Sequence, residues 1–364
     1  MTTPLDRNPP ELLYAVARSF FELVGQRRTE SFRLPYPPNV QLALDRVVLD
    51  CLRRGAPPPA SVPDLVRRLV VGDEMESPLA LPDWLVSPSA LVDDLTRLPT
   101  RTCAELASAG PHGAVEQAAV RILNEIADFS PSALYFRTYR DFLITNVAVS
   151  PQADRSLMAD VRNSLAWQRL RGLYEEVPAA YITREMGSQW FAICRECGFP
   201  ALPLPDERWV CESGYCGITE TPVRADRNGT RLLPTSLRLF LALPGSAEQG
   251  ILRRLSKVGV SVTLAPSGLG VWHFTHPEGR PGVLRVYDRE QPALLAACLT
   301  ADLPRTGEHR IAVIPDRVIA RQPDFLKLLA SHLPEDQELL LSSEADLGDV
   351  IGLSRQWQEG KGHA

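Results

Sequence analysis

Apolar positions recur at a helical period through the first half of the chain, and at a strand period through parts of the second. The run from Glu11 to Val24 follows Pro9 and Pro10, and its leucines, valines and aromatics return every three to four residues. That spacing predicts an amphipathic helix whose start tolerates proline. Val40, Leu42, Leu44, Val47, Val48 and Leu52 predict a second helix after a proline-rich turn. Ser61 precedes a third, Leu65 to Val70, where its hydroxyl can accept from a free amide. From Ser77 to Thr102 prolines break the pattern into short turns, with Trp84 and Leu85 as its expected anchors. Helical spacing returns over Ala114 to Ala127, Ala133 to Asn146 and Leu157 to Leu173. Tyr135, Phe136, Tyr139 and Phe142 share a stripe whose spacing assigns it to core packing, while Arg162, Arg169 and Arg171 mark a solvated face that could meet phosphate.

Beyond residue 236 the pattern shortens. Ser236 to Leu243 is of mixed character, and Ser246 with Gln249 predicts a capped helix to Lys257. Val258 to Leu264, Leu269 to Thr275, Gly282 to Tyr287, His309 to Pro315 and Glu338 to Ser342 are strand-length runs bounded by Gly, Pro or polar residues. Gln291 to Leu299 and Pro323 to Leu333 fit helices. The order implies a mixed sheet flanked by helices. The chain is therefore expected to be an α+β multidomain protein, with a helical domain over 1–185, a cysteine module over 186–235, an α/β domain over 236–355 and a frayed polar tail over 356–364.

Composition narrows the class. A chain of 364 residues, 45% hydrophobic and 23% charged, is that of a folded globular protein. A net charge of −5 argues against coating nucleic acid by charge alone, but leaves room for a local basic face. Lys257, Lys327 and Lys361 are the only lysines, an imbalance toward arginine that fits a GC-rich bacterial genome. No apolar run approaches membrane-spanning length and the first residues lack a signal-peptide core, so the expected compartment is the cytoplasm.

The sharpest chemical signal is Cys194-Arg-Glu-Cys197-Gly198 followed by Trp209-Val-Cys211 and Cys216-Gly217. Two close pairs, each followed by a glycine that permits a tight turn, predict a four-cysteine zinc ribbon. Four thiolates leave no open position for water, and no histidine falls in the window, so the expected zinc is structural. Cys51, Cys103 and Cys298 stand apart in apolar patterns and read as packed thiols.

The order helix, three strands, helix, strand is the core order of the restriction-endonuclease-like fold. That fold holds Mg²⁺ with an acid on the second strand and a Glu/Asp-x-Lys triplet on the third. Here the second strand, to Thr275, has no carboxylate, and the triplet position reads Arg285-Val286-Tyr287. Asp288 and Glu290 lie just past the strand and are weak catalytic candidates. His273 and His276 fall on opposite strand faces, and Glu278 sits in a turn. The expected domain keeps a nuclease shape without its acid and lysine, and Arg253, Arg254 and Lys257 are the candidates for phosphate contact.

Tyr139-Arg-Asp-Phe-Leu-Ile144, the Cys194 and Cys211 knuckles, and Arg285-Val-Tyr-Asp288 together resemble accessory proteins encoded beside PIWI-RE proteins in bacterial three-gene islands. The resemblance implies anti-phage or anti-plasmid defence, with nucleic acid and a PIWI-like or helicase protein as partners and no membrane. Two alternatives remain open from the residues: an active Mg²⁺-dependent nuclease with a shifted Asp288/Glu290 site, and a zinc-ribbon transcription factor or scaffold.

Overall fold

A computed structural model describes residues 11–25, 34–70, 78–79, 81–87, 89–110, 113–161, 163–185, 188–204, 206–265, 269–275, 279, 281–301, 309–334 and 339–353. Arg162, His276, Glu278 and the expected tail lie outside the described residues.

The N-terminal pattern folds as its period requires. Helices α1 (Glu11–Gly25), α2 (Pro38–Arg54), α3 (Val62–Arg68) and α4 (Arg101–Ser108) bury Val16, Phe20, Val47, Leu65 and Leu106 in one core, with Trp84 pinned to it. Ser61 caps α3 by accepting from the Asp64 amide at 3.3 Å. Helix α4 went unpredicted, because all six residues from Thr102 to Ala107 are buried and leave no polar face to set a period. Thr100 starts it, its Oγ1 accepting from the Cys103 amide at 3.1 Å.

Helices α5 (Val115–Phe129) and α6 (Ala133–Thr145) follow, and Phe136, Tyr139 and Phe142 pack in the core while Tyr135 stays exposed. The single helix expected over Leu157 to Leu173 is corrected to two, α7 (Pro151–Ala159) and α8 (Ser164–Leu170). Ser150 caps α7 by accepting from the Ala153 amide, which fixes an earlier start. Leu157 and Leu170 are buried, but Met158, Val161 and Leu165 are exposed, so the apolar residues never formed one face.

Three sheets follow. Strands β1 (Ala148–Val149), β2 (Glu175–Glu176) and β9 (Arg231–Leu232) form the smallest, in which β9 returns the chain to the helical part. The six-stranded sheet comprises β3 (Ile182–Glu185), β4 (Ser188–Ile193), β5 (Pro200–Pro203), β6 (Trp209–Cys211), β7 (Ile218–Thr219) and β8 (Val223–Asp226). A helical stretch then runs from Thr235–Leu237 through a π-helical turn, Arg238–Ala242, into α9 (Leu243–Lys257). Ser246 is not its cap: it lies inside the helix and donates to the Leu243 carbonyl at 2.8 Å. The helix begins earlier because Arg238, Phe240, Leu241 and Ala242 are all buried, a segment without a solvent face.

The five-stranded sheet has the order β10 (Val262–Leu264), β11 (Val271–Thr275), β12 (Pro281–Val286), β13 (His309–Ile314), β14 (Leu339–Ser343). Pairing is antiparallel from β10 to β12 and parallel from β12 to β14, with α10 (Pro292–Ala301), α11 (Asp316–Arg321) and α12 (Phe325–His332) in the parallel crossovers. Alternation sorts the faces. Trp272, Leu284, Val286 and Val313 pack on Ile251 and Leu255 of α9, while Tyr287, Ala312 and Ile314 pack on Leu295, Phe325 and Leu329.

Gly282 stands opposite Phe274 in register, and a Cβ there would lie 2.4 Å from the Phe274 ring. Gly282→Ala is therefore expected to destabilise the protein by about 1–3 kcal/mol. Urea denaturation followed by tryptophan fluorescence measures it, and an unchanged midpoint would mean that the ring does not cover the glycine.

The largest buried apolar cluster joins Phe136, Tyr139 and Leu143 to Phe191, Cys194 and Cys211 and to Phe240 and Leu243. That cluster runs from the later helices through the cysteine module to the start of α9, beside separate clusters that cover the first helices and the two faces of the five-stranded sheet.

Candidate metal centre and the buried ionic hub beside it

Local backbone chemistry shapes the two cysteine turns. Cys194 follows β4; its amide donates to the Phe199 carbonyl at 2.7 Å, and the Gly198 amide donates back to the Cys194 carbonyl at 2.9 Å. Gly198 turns at φ +75° and Gly217 at φ +70°, where a side chain would be strained. Cys211 ends β6, and its amide donates to the Gly217 carbonyl at 3.1 Å, closing the second turn.

The structure brings Cys194, Cys197, Cys211 and Cys216 together, with all four sulfurs within 4.8 Å of one another and no disulfide among them. Cys197 Sγ and Cys211 Sγ are 3.3 Å apart. A tetrahedron of four Zn–S bonds has edges of about 3.8 Å, so this donor set fits a metal ion that prefers soft ligands. Hydrogen bonding from Cys211 lowers the Cys197 thiol to about 5, and the same contact raises Cys211. A lowered thiol favours the thiolate, the form that ligates a metal.

The wider spacing of the second pair has a structural use. Ser213 and Tyr215 lie between Cys211 and Cys216, and the Tyr215 amide donates to Ser213 Oγ at 3.2 Å. Tyr215 thereby points out of the knuckle into the sheet domain. Its hydroxyl donates to Asp288 Oδ1 at 2.5 Å and accepts from Arg101 at 2.6 Å. Arg101, Arg317 and Arg321 all lie over its ring, at 5.1, 4.5 and 4.6 Å from the centroid.

Asp288 is the hub of this junction. Its side chain has no exposed area, and it pairs with Arg101 at 2.6 Å and with Arg317 at 2.5 Å. Burial pushes its carboxyl up, but the two guanidinium groups outweigh it and hold the group below the usual carboxylate range. Three parts of the chain meet at one charge: the start of α4, the cysteine knuckle and the end of β12. Glu290, the other weak catalytic candidate, accepts from Thr102 at 3.1 Å and lies 3.9 Å from Arg101 and 3.8 Å from Arg321. Both carboxylates are engaged with protein cations.

Two further buried pairs lock the same parts. Arg238 holds Glu212, the neighbour of Cys211, at 2.6 Å and donates to Tyr181 Oη at 3.0 Å. Arg140 of α6 holds Glu248 of α9 at 2.6 Å and donates to the Leu269 carbonyl at 2.9 Å.

The basic candidates separate. Arg253 and Lys257, one helical turn apart, are exposed, whereas Arg254 is turned inward, 3.9 Å from Glu344. Arg169 and Arg171 are exposed on α8 and the turn after it. His273 is exposed on β11. Arg101, Tyr215 and Arg317 carry the junction and were not anticipated. The four residues between Cys211 and Cys216, where two is the commonest spacing, are the one departure the sequence shows at this loop.

Residues 12–150 match the family model for the pPIWI_RE three-gene island domain Y, which supports membership among the accessory proteins of PIWI-RE islands. The match includes Tyr139 to Ile144, while the cysteine pairs and the five-stranded sheet lie beyond it. No curated protein and no solved structure matches the chain. No helix among the described residues is long and apolar enough to cross a membrane.

Proposed function

We propose that this chain, as an accessory protein of a PIWI-RE island, is a non-catalytic, zinc-stabilised component of a bacterial anti-phage or anti-plasmid defence system. In this reading its C-terminal sheet domain is restriction-endonuclease-like in shape, works in the cytoplasm and binds nucleic acid beside a PIWI-like or helicase partner. The observation that carries it is the sheet itself. A leading helix, three antiparallel strands and a crossover helix to a parallel strand are present, and neither β11 nor β12 bears a carboxylate. Zinc is the metal of choice because four thiolates make a closed, structural site. The engagement of Asp288 and Glu290 by arginines supports a structural use for both.

Phosphate contact then falls to Arg253 and Lys257, which project together from α9. The double variant Arg253→Glu/Lys257→Glu is expected to bind single- or double-stranded DNA or RNA at least about tenfold more weakly near 0.1 M salt, and to flatten the log–log salt slope by about 2. Fluorescence anisotropy across a salt series measures both. An unchanged affinity and slope would remove nucleic acid from the proposal. With Mg²⁺ or Mn²⁺ the same substrates are expected to stay intact, and cleavage lost in Glu290→Gln would restore the nuclease reading.

A further inference from the structure

A groove of about 550 Å³ opens between α1 and α2. Its lining follows helical spacing on both sides, with Ala15, Ser19 and Glu22 along α1 and Asn39, Ala43 and Arg46 along α2. Asn39 donates to Glu22 Oε2 at 3.2 Å, so the end of α1 meets the start of α2 and the two helices run antiparallel. About 10 Å of each helix bounds the groove. A trough between two packed helices has the shape to take a third.

The floor asks for no polar partner. Ser19 donates to the Val16 carbonyl of its own helix at 2.7 Å, which leaves the trough apolar at its base. Leu42 lines the wall and is 48% exposed, and Leu49, two turns further along the same face of α2, is 52% exposed. Leucines held half in water beside a groove mark a surface that gains burial when a partner covers it.

The rim offers positive charge. Arg18 of α1 is half-buried and Arg46 of α2 is exposed, and neither has an ion-pair or hydrogen-bond partner among the described residues. Glu22, the carboxylate of the lining, is met by Asn39, and Asp45 beside the rim is met by Gln41 at 2.8 Å. In a chain of net charge −5, two unpaired guanidinium groups therefore flank an apolar trough. A nucleic acid would leave the leucines uncovered and bring phosphates toward Glu22 and Asp45. The charge and the leucines together suit a protein segment.

We infer that the groove receives an acidic amphipathic helix of a partner protein, its apolar stripe against Ala15, Leu42 and Ala43 and its carboxylates on Arg18 and Arg46. The two arginines come from different helices, so the incoming helix needs an acid on each flank of its stripe. The inference rests on the protein-partner part of the proposed function. Arg253 and Lys257 of α9 line no part of the groove, so the nucleic-acid part can fail without it.

The test uses the full chain as bait for phage-displayed peptides of about 16 residues, long enough to cross the groove with a turn to spare at each end. Leucines are fixed at helical i, i+3 and i+7 spacing and every other position is random. Selected peptides are expected to carry Asp or Glu on both flanks of the leucines, and the best of them, labelled with fluorescein, should bind saturably by anisotropy. Arg18→Glu/Arg46→Glu is expected to weaken that binding at least about tenfold. A peptide with its acids changed to lysine should bind this variant and not the wild type, an exchange that misfolding cannot produce. Leu42→Asp, at a half-exposed position, should abolish binding with the melting temperature kept. Arg253→Glu/Lys257→Glu should bind the peptide as the wild type does. Selection of basic peptides, no enrichment over a Leu42→Asp bait, or displacement by single-stranded DNA near 0.1 M salt would overturn the inference. So would a wild-type dimer that Leu42→Asp dissolves, because the groove would then seat a second copy of this chain.

Discussion

Asp288→Asn is expected to destabilise the native protein by about 3–5 kcal/mol at neutral pH, the usual consequence of removing one member of a buried ionic cluster. Asparagine keeps the size and part of the hydrogen bonding, but it leaves Arg101 and Arg317 facing each other around Tyr215 without the charge between them. Arg101 is only 9% exposed and has little access to water. The loss should depend on pH with a definite sign. The Asp288 carboxyl is held below its ordinary value in the fold, so its contribution is fully present above the unfolded-state value of about 3.9. It disappears as the pH falls through the native value, where the wild-type group takes up a proton and comes to resemble asparagine. Urea denaturation of both chains from neutral pH downward would show a gap that closes only at the acid end. A gap below about 1 kcal/mol at pH 7 would mean that the hub is a crowded surface feature and not a buried lock.

That hub also marks where sequence reasoning stopped. The four cysteines were legible because they fall within one window and their spacing has a single common use. The succession of strands and helices in the five-stranded sheet domain was legible too, since Gly, Pro or polar residues bound each strand and the crossover helices carry their own pattern. Asp288 was visible only as an acid past a strand end. Its partners lie 187, 73 and 29 residues away, and no local period carries such information. Helix α4 was missed for a related reason: burial on every side erased the alternation by which a helix is recognised. The opposite error made one helix of α7 and α8, whose apolar residues repeat at helical spacing yet include the fully exposed Val161. Among Arg253, Arg254 and Lys257 the sequence saw one basic cluster, and Glu344, contributed from beyond β14, drew Arg254 out of it.

Cys211→Ser is expected to have a still larger effect than Asp288→Asn if the proposed zinc is bound. A structural zinc contributes its binding free energy to folding, of order 10–16 kcal/mol for thiolate-rich peptides at neutral pH, and a serine hydroxyl cannot replace a thiolate. Cys211 is 2% exposed and packs in the main interior with Phe191 and Phe240, so the damage would not stay within the loop. Its turn also carries Tyr215, hence loss of the metal should release the tyrosine from Asp288 and loosen the sheet domain from the helices. Mass spectrometry of the native protein should find about one zinc per chain and none in the variant. Hydrogen exchange should rise around Tyr215 and, at a distance, at the start of α4, where Arg101 loses a partner. Exchange confined to residues 194–217 would separate the metal from the junction, and a variant that kept both its zinc and its denaturation midpoint would refute the four-thiolate site.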